Sequence, residues 1–82
     1  MSGILSWLAK VANPAVSREQ ALDIARRECE QRGLPWQEPV RVMSEFAEWA
    51  VWTHADHRGG NVRVTVDKGT GEVRHVSGPI LR

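Results

Sequence analysis

Val62-Arg63-Val64-Thr65-Val66-Asp67-Lys68-Gly69-Thr70-Gly71-Glu72-Val73 decides the fold. Its first part alternates strictly, with three valines to one side and Arg63 and Thr65 to the other, which is the period of a half-buried strand. Asp67 to Gly71 reads as a turn, because an Asp side chain accepts from backbone N–H groups just ahead of it and glycine admits φ > 0. Glu72 to Val76 is then the returning strand, and the whole stretch is an antiparallel hairpin. Gly78-Pro79 is expected to close the sheet, leaving residues 80–82 as a tail.

Upstream of the hairpin, Asp56-His57-Arg58-Gly59-Gly60-Asn61 is a second turn. Ala47 to Ala55 alternates again, with Trp49, Val51 and Thr53 on one face and Ala50, Trp52 and His54 on the other. Val40 to Met43 is a further short strand. Before Pro39 the period changes from 2 to 3.6. Ser17-Arg18-Glu19-Gln20 is a capping box, with Val16 and Ala21 placed as a hydrophobic staple. Ala21, Leu22, Ala25 and Cys29 form one stripe widened by Ile24, Gly33 stops the helix, and Pro35 prevents its resumption. Nearer the start, Ile4, Leu5, Leu8, Val11 and Ala12 lie at helical spacing until Asn13-Pro14. The expected architecture is α+β: N-terminal helices followed by a four-stranded antiparallel meander, with helix packed on one sheet face. Residues 1–15 are an amphipathic helix with its Asn-Pro connector, and residues 16–82 are the helix-plus-sheet domain.

Eighty-two residues make one small domain that must bury nearly every apolar side chain it has. Eleven Lys and Arg against ten Asp and Glu leave a net charge of +1, interspersed along the chain. That balance speaks against nucleic acid, which calls for a basic excess or stripe, and against a polybasic membrane tether. The short apolar run Ile4 to Ala9 is interrupted by Lys10 and has no basic residue ahead of it, so neither a secretory signal nor a membrane span is expected. Cys29 is the sole cysteine, which excludes an intrachain disulfide and suits a reducing, cytoplasmic setting. Four of the five aromatics are tryptophan, at positions 7, 36, 49 and 52. Trp49 is assigned to the core, Trp7 to a cap formed with the first helix, and Trp36 to the linker.

The hairpin Val64-Thr65-Val66-Asp67-Lys68-Gly69-Thr70-Gly71-Glu72-Val73 resembles that of PepSY-type domains, which carry a strand ending in Val-Asp, a Thr-Gly-Glu-Val turn and a final strand. Trp49-Ala50-Val51 looks like that family's aromatic-x-Val strand, and Ser17-Arg18-Glu19-Gln20-Ala21-Leu22 with Ile24-Ala25 resembles its helix opening. The likeness spans residues 16–77. Small bacterial immunity proteins with a nuclear-transport-factor-like fold share the same order of helix, Trp-x-Val strand and Asp-Lys hairpin. Both resemblances imply a small bacterial module that binds and restrains another protein. The additional N-terminal segment lies outside the family pattern and favours a free-standing cytoplasmic binder over a protease propeptide.

Chemistry is sparse. His54, Asp56, His57 and His75 are the residues with a metal flavour, but on a strand His54 and His57 would point to opposite faces, and no zinc-finger spacing accompanies them. Cys29 sits late on an apolar helix stripe, where a thiol is a buried hydrophobe and not a nucleophile. Neither glycine-rich turn opens a helix, so neither is a phosphate loop. No catalytic group, metal or cofactor is expected, and the protein is not expected to be an enzyme. Surfaces remain. Trp52, flanked by Arg63 and Arg74, has the composition of an interface hot spot unless the first helix covers it. His54, Asp56, His57 and Arg58 lie on or beside an adjoining loop, where recognition is commonly placed. The expected partner is another protein, a toxin or an enzyme to be inhibited, with homodimerisation through a sheet edge or the open sheet face as a further mode. The alternative is a small-molecule or metal sensor using that face with His54, His57 and His75.

Overall fold

A computed structural model describes residues 15–80 of the chain, and the helix expected over residues 3–12, with Trp7, lies outside them. One helix, α1 (Arg18–Arg32), precedes four strands: β1 (Arg41–Ser44), β2 (Glu48–Trp52), β3 (Asn61–Asp67) and β4 (Val73–Ile80). The strands pair antiparallel in the order β1-β2-β3-β4, which makes the described part an α+β meander.

Both ends of α1 are closed by local chemistry. The Ser17 hydroxyl accepts from the Gln20 N–H at 3.1 Å, and Gln20 Oε1 accepts from the Ser17 N–H at 2.7 Å, so the box caps two orphan donors. At the other end Gly33 takes φ 69° and donates to the Glu30 carbonyl, while the Leu34 N–H reaches the Cys29 carbonyl at 2.8 Å. That pair of bonds is a Schellman stop. A Cβ added at Gly33 would meet nothing within 4 Å, so only its backbone angle demands glycine. Gly33→Ala is therefore expected to cost about 1–2 kcal/mol, seen as a lower thermal midpoint with an unchanged fold.

Ala21, Ala25 and Cys29 on α1 belong to one buried cluster with Val42, Val51, Val62, Val64 and Val66 from the sheet. The registers explain the choice of valine. Val42 faces Val51, which faces Val64, which faces Val76, and the next row runs Ser44, Trp49, Val66, Val73. The helix contributes small residues to this cluster and the strands β-branched ones. Leu22, Ile24, Leu34, Trp36, Val40 and Trp49 pack around this cluster while half exposed. Trp36 thus lies in the connector, as expected, yet contributes to the core.

The β3–β4 turn follows the sequence closely. Asp67 Oδ1 accepts from the N–H groups of Gly69 at 2.7 Å and Thr70 at 2.9 Å. Gly71, at φ 80°, carries the chain past Ile24 and Val16, whose methyl groups lie 3.3 and 3.5 Å from where its Cβ would be. The turn is thereby seated on the start of α1.

Two strand ends and the burial of one residue differ from the expectations. β2 ends at Trp52 and does not run to Ala55, because His54 turns the chain at φ 51°. β4 continues through Gly78-Pro79 to Ile80, which pairs with Asn61. An edge strand has a free side, so a proline without an N–H is tolerated there. Thr65 does point away from the valine side, but it is fully buried, as is its neighbour Ala50. Its hydroxyl has no hydrogen-bond partner among the described residues. Removing a buried, unpaired hydroxyl while keeping the shape relieves a desolvation cost, so Thr65→Val is expected to raise stability by about 1 kcal/mol. A higher urea midpoint at constant slope is the signature.

Candidate functional site

The face of the sheet opposite the valines is built in two register rows. Arg41, Trp52, Arg63 and Ser77 form one, and Met43, Ala50, Thr65 and His75 form the other. Ala50 and Thr65 in its middle are buried, whereas Arg41, Met43 and His75 are exposed. Trp52 is half-buried, with Arg63 lying over its ring at 5.6 Å from the centroid. A guanidinium over an indole face is held by the ring quadrupole and presents a flat cationic surface. Arg63 also reaches Glu45 Oε2 at 3.4 Å. The indole Nε1 of Trp52 is buried with no hydrogen-bond partner among the described residues.

Beside this row stands the loop between β2 and β3, and Asn61 builds it. The side chain, 8% exposed, shares its amide hydrogens among the carbonyls of Thr53 at 2.9 Å, His54 at 2.8 Å and His57 at 3.3 Å. Its own Oδ1 accepts from the Gly59 N–H at 3.0 Å. Thr53, buried, pairs with Val62 through both its N–H and its hydroxyl, each at 2.9 Å. A loop tied at so many backbone atoms is a rigid frame for what it displays. His54 and His57, expected on opposite faces, instead stack with ring centroids 3.7 Å apart, because the left-handed His54 folds the chain back on itself. Asp56, His57 and Arg58 are exposed on this frame.

Strand row and loop enclose a cleft of about 230 Å³. Trp52, Met43 and Ala55 give its apolar wall, and Arg41, His57, Arg58 and Asn61 its polar one. Among the described residues no carboxylate lines it. Of the expected contact residues, the structure brings Trp52, His57 and Arg58 together here, with Arg63 over the indole and His54 behind His57.

Arg74 is the exception. It does not flank Trp52, because a register shift between Thr65 and Val66 places it at the far turn, where it pairs with Asp67 at 3.3 Å and Glu72 at 3.6 Å. Arg41 and Met43 were not expected here. Only the register of β1 on β2, set across the turn at residues 45–47, carries Arg41 to Trp52.

The remaining chemical groups are dispersed. His75 faces Thr65 in the second row, and among the described residues no group of three or more His, Cys, Asp or Glu is placed to hold a metal ion. Cys29 is fully buried, and burial, with a smaller push from Glu28, raises its thiol pKa above the usual range against the opposing pull of Arg32. An acid whose folded pKa is raised keeps its proton longer in the native state, so stability is lost as pH rises above the unfolded thiol's value of about 8.5. Cys29→Ser is expected to flatten that alkaline decline in an unfolding series from pH 7 to 10. No helix among the described residues is long and apolar enough to cross a membrane. Compared with known proteins, the chain matches no family model, no curated protein and no solved structure.

Proposed function

We propose that this chain is a non-enzymatic, cytoplasmic protein-binding module of inhibitory or immunity type, PepSY-like over residues 16–77, with α1 covering the valine face. Its contact surface is the Trp52 end of the opposite face together with the rigid β2–β3 loop. One observation carries the reading: an arginine-flanked tryptophan and a loop fixed by Asn61 converge on a single cleft. Trp, Arg and Met are the residues enriched at protein interfaces, and preorganised frames lose little entropy on binding. The order of capped helix, Trp-x-Val strand and Asp-Lys hairpin supports the family likeness, and the cluster of Ala21, Ala25 and Cys29 with the strand valines supports the placing of α1.

The sensor reading has less in its favour. The cleft, at about 230 Å³, is smaller than the roughly 300–1,000 Å³ of ordinary ligand pockets. His75 is also not among its walls.

Affinity purification of the tagged chain from its native cells tests the proposal, with Arg41→Glu/Arg58→Glu as the comparison. Both side chains are exposed, so the double variant is expected to fold. The wild type is expected to retain one protein near equimolar ratio, and the variant to retain it at least tenfold less. Equal retention by both, or none by either, contradicts the proposal.

A further inference from the structure

The walls of the cleft specify the chemistry of what enters it. Arg27, Arg32, Arg63 and Arg74 are each ion-paired within 3.6 Å. Arg18, Arg26, Arg41 and Arg58 have no carboxylate partner among the described residues, and of these Arg41 and Arg58 share one cleft with His57. Both guanidiniums line the same cleft, and the sheet register and the Asn61 clamp fix the backbone on either side that carries them. The planar guanidinium fork matches a carboxylate bidentately, and it is weakly hydrated, so it gives up water readily on binding. Between them the indole of Trp52 and the thioether of Met43 offer a flat apolar floor. Such a floor takes an apolar side chain adjacent to the acid.

We infer that the cleft is a carboxylate-binding site that receives an acidic segment of the partner protein, with one or two Glu or Asp side chains on Arg41 and Arg58 and an apolar neighbour on Trp52. This rests on the protein-binding reading above and adds the partner's chemistry to it. Charge complementarity favours an acidic peptide over nucleic acid, because the cleft holds only two guanidiniums and the chain as a whole carries only +1, with no basic stripe to follow a phosphate backbone.

The test uses the full chain and the peptide acetyl-Glu-Leu-Glu-Phe-Glu-Leu-amide, followed by NMR on the Arg41 and Arg58 Nε–H, Trp52 Nε1–H and Asn61 side-chain signals. Saturable shifts at these groups are expected, weakening at least tenfold between 50 and 500 mM salt as surface charges are screened. The same peptide with Gln for Glu is expected to bind at least tenfold more weakly, as is the acidic peptide to the Arg41→Glu/Arg58→Glu variant. Gln binding as tightly as Glu overturns the inference. So does a single-stranded oligonucleotide that shifts these signals at lower concentration than the peptide, or self-association of the chain that shifts them without any ligand. If a partner co-purifies in an Arg41- and Arg58-dependent manner but the acidic peptide leaves the signals unmoved, the inference fails and the protein-binding reading stands. If neither occurs, both fail.

Discussion

Trp49→Ala is expected to destabilise the protein by about 3–5 kcal/mol, the largest loss from any single side chain. The ring packs on the buried cluster from β2, and its Nε1 donates to the Val16 carbonyl at 2.9 Å, tying the approach to α1 onto the sheet. It is also the platform for Lys68, whose ammonium stands 4.8 Å from the ring centroid. Lys68 is only 6% exposed, and its Nζ donates to Ser44 Oγ at 2.6 Å and to the Glu45 carbonyl. Its backbone carbonyl accepts from the Val16 N–H at 3.0 Å. One indole therefore joins four places: Val16 just ahead of the helix cap, the β1–β2 turn, the β3–β4 turn and the core. A domain of this size has roughly 4–12 kcal/mol in total, so the alanine variant stands at the edge of unfolding. Trp49→Phe keeps most of the packing and loses the hydrogen bond, and about 1 kcal/mol is expected. Urea unfolding followed by circular dichroism measures both. A loss below about 1.5 kcal/mol for the alanine variant contradicts the assigned role, since that is no more than one ordinary hydrogen bond.

Asn61→Ala is expected to cost about 2–4 kcal/mol and to release the β2–β3 loop. Three carbonyls lose a shared donor, and the Gly59 N–H loses its acceptor. His54 is then left at φ 51°, a conformation a non-glycine residue holds only when its surroundings enforce it. Asn61→Asp separates hydrogen bonding from size. It keeps the shape and the acceptor for Gly59 but points a carboxylate oxygen at carbonyl oxygens, so the neutral acid is the better fit. A carboxyl whose folded pKa is raised costs stability as pH rises, and acidifying below about pH 4 is expected to recover part of the loss. Hydrogen exchange at Thr53, Gly59 and Val62 reports the loop directly. Equal destabilisation at every pH contradicts the clamp.

The helix could be read from its sequence because its signals are local: Ser17 and Gln20 are three residues apart, and Gly33 lies one past the last turn. The strands were legible as alternation, and the valines at 62, 64 and 66 fell on the buried side as expected. What escaped depends on partners far along the chain. His54 continues the alternation of β2 perfectly in sequence, and its turn is held by groups far along the chain, the Asn61 amide on its carbonyl and the Gln37 carbonyl on its N–H. A single bulge after Thr65 moved Arg74 away from Trp52, and a bulge leaves no mark in the hydrophobic pattern. Arg41 came to the cleft through strand register, which is set by pairing and not by its own neighbours. The site thus became visible only when four strands were placed side by side.

By the proposed function, partner contact occurs in the cleft over Trp52. It is tested most directly by placing a photo-crosslinking amino acid at Ala55, inside the cleft, or at Asp23, exposed on α1, in native cells. Irradiation is expected to join the position-55 variant to one protein of defined mass, and the position-23 variant to none. Crosslinking from position 23 with none from position 55 would contradict the account.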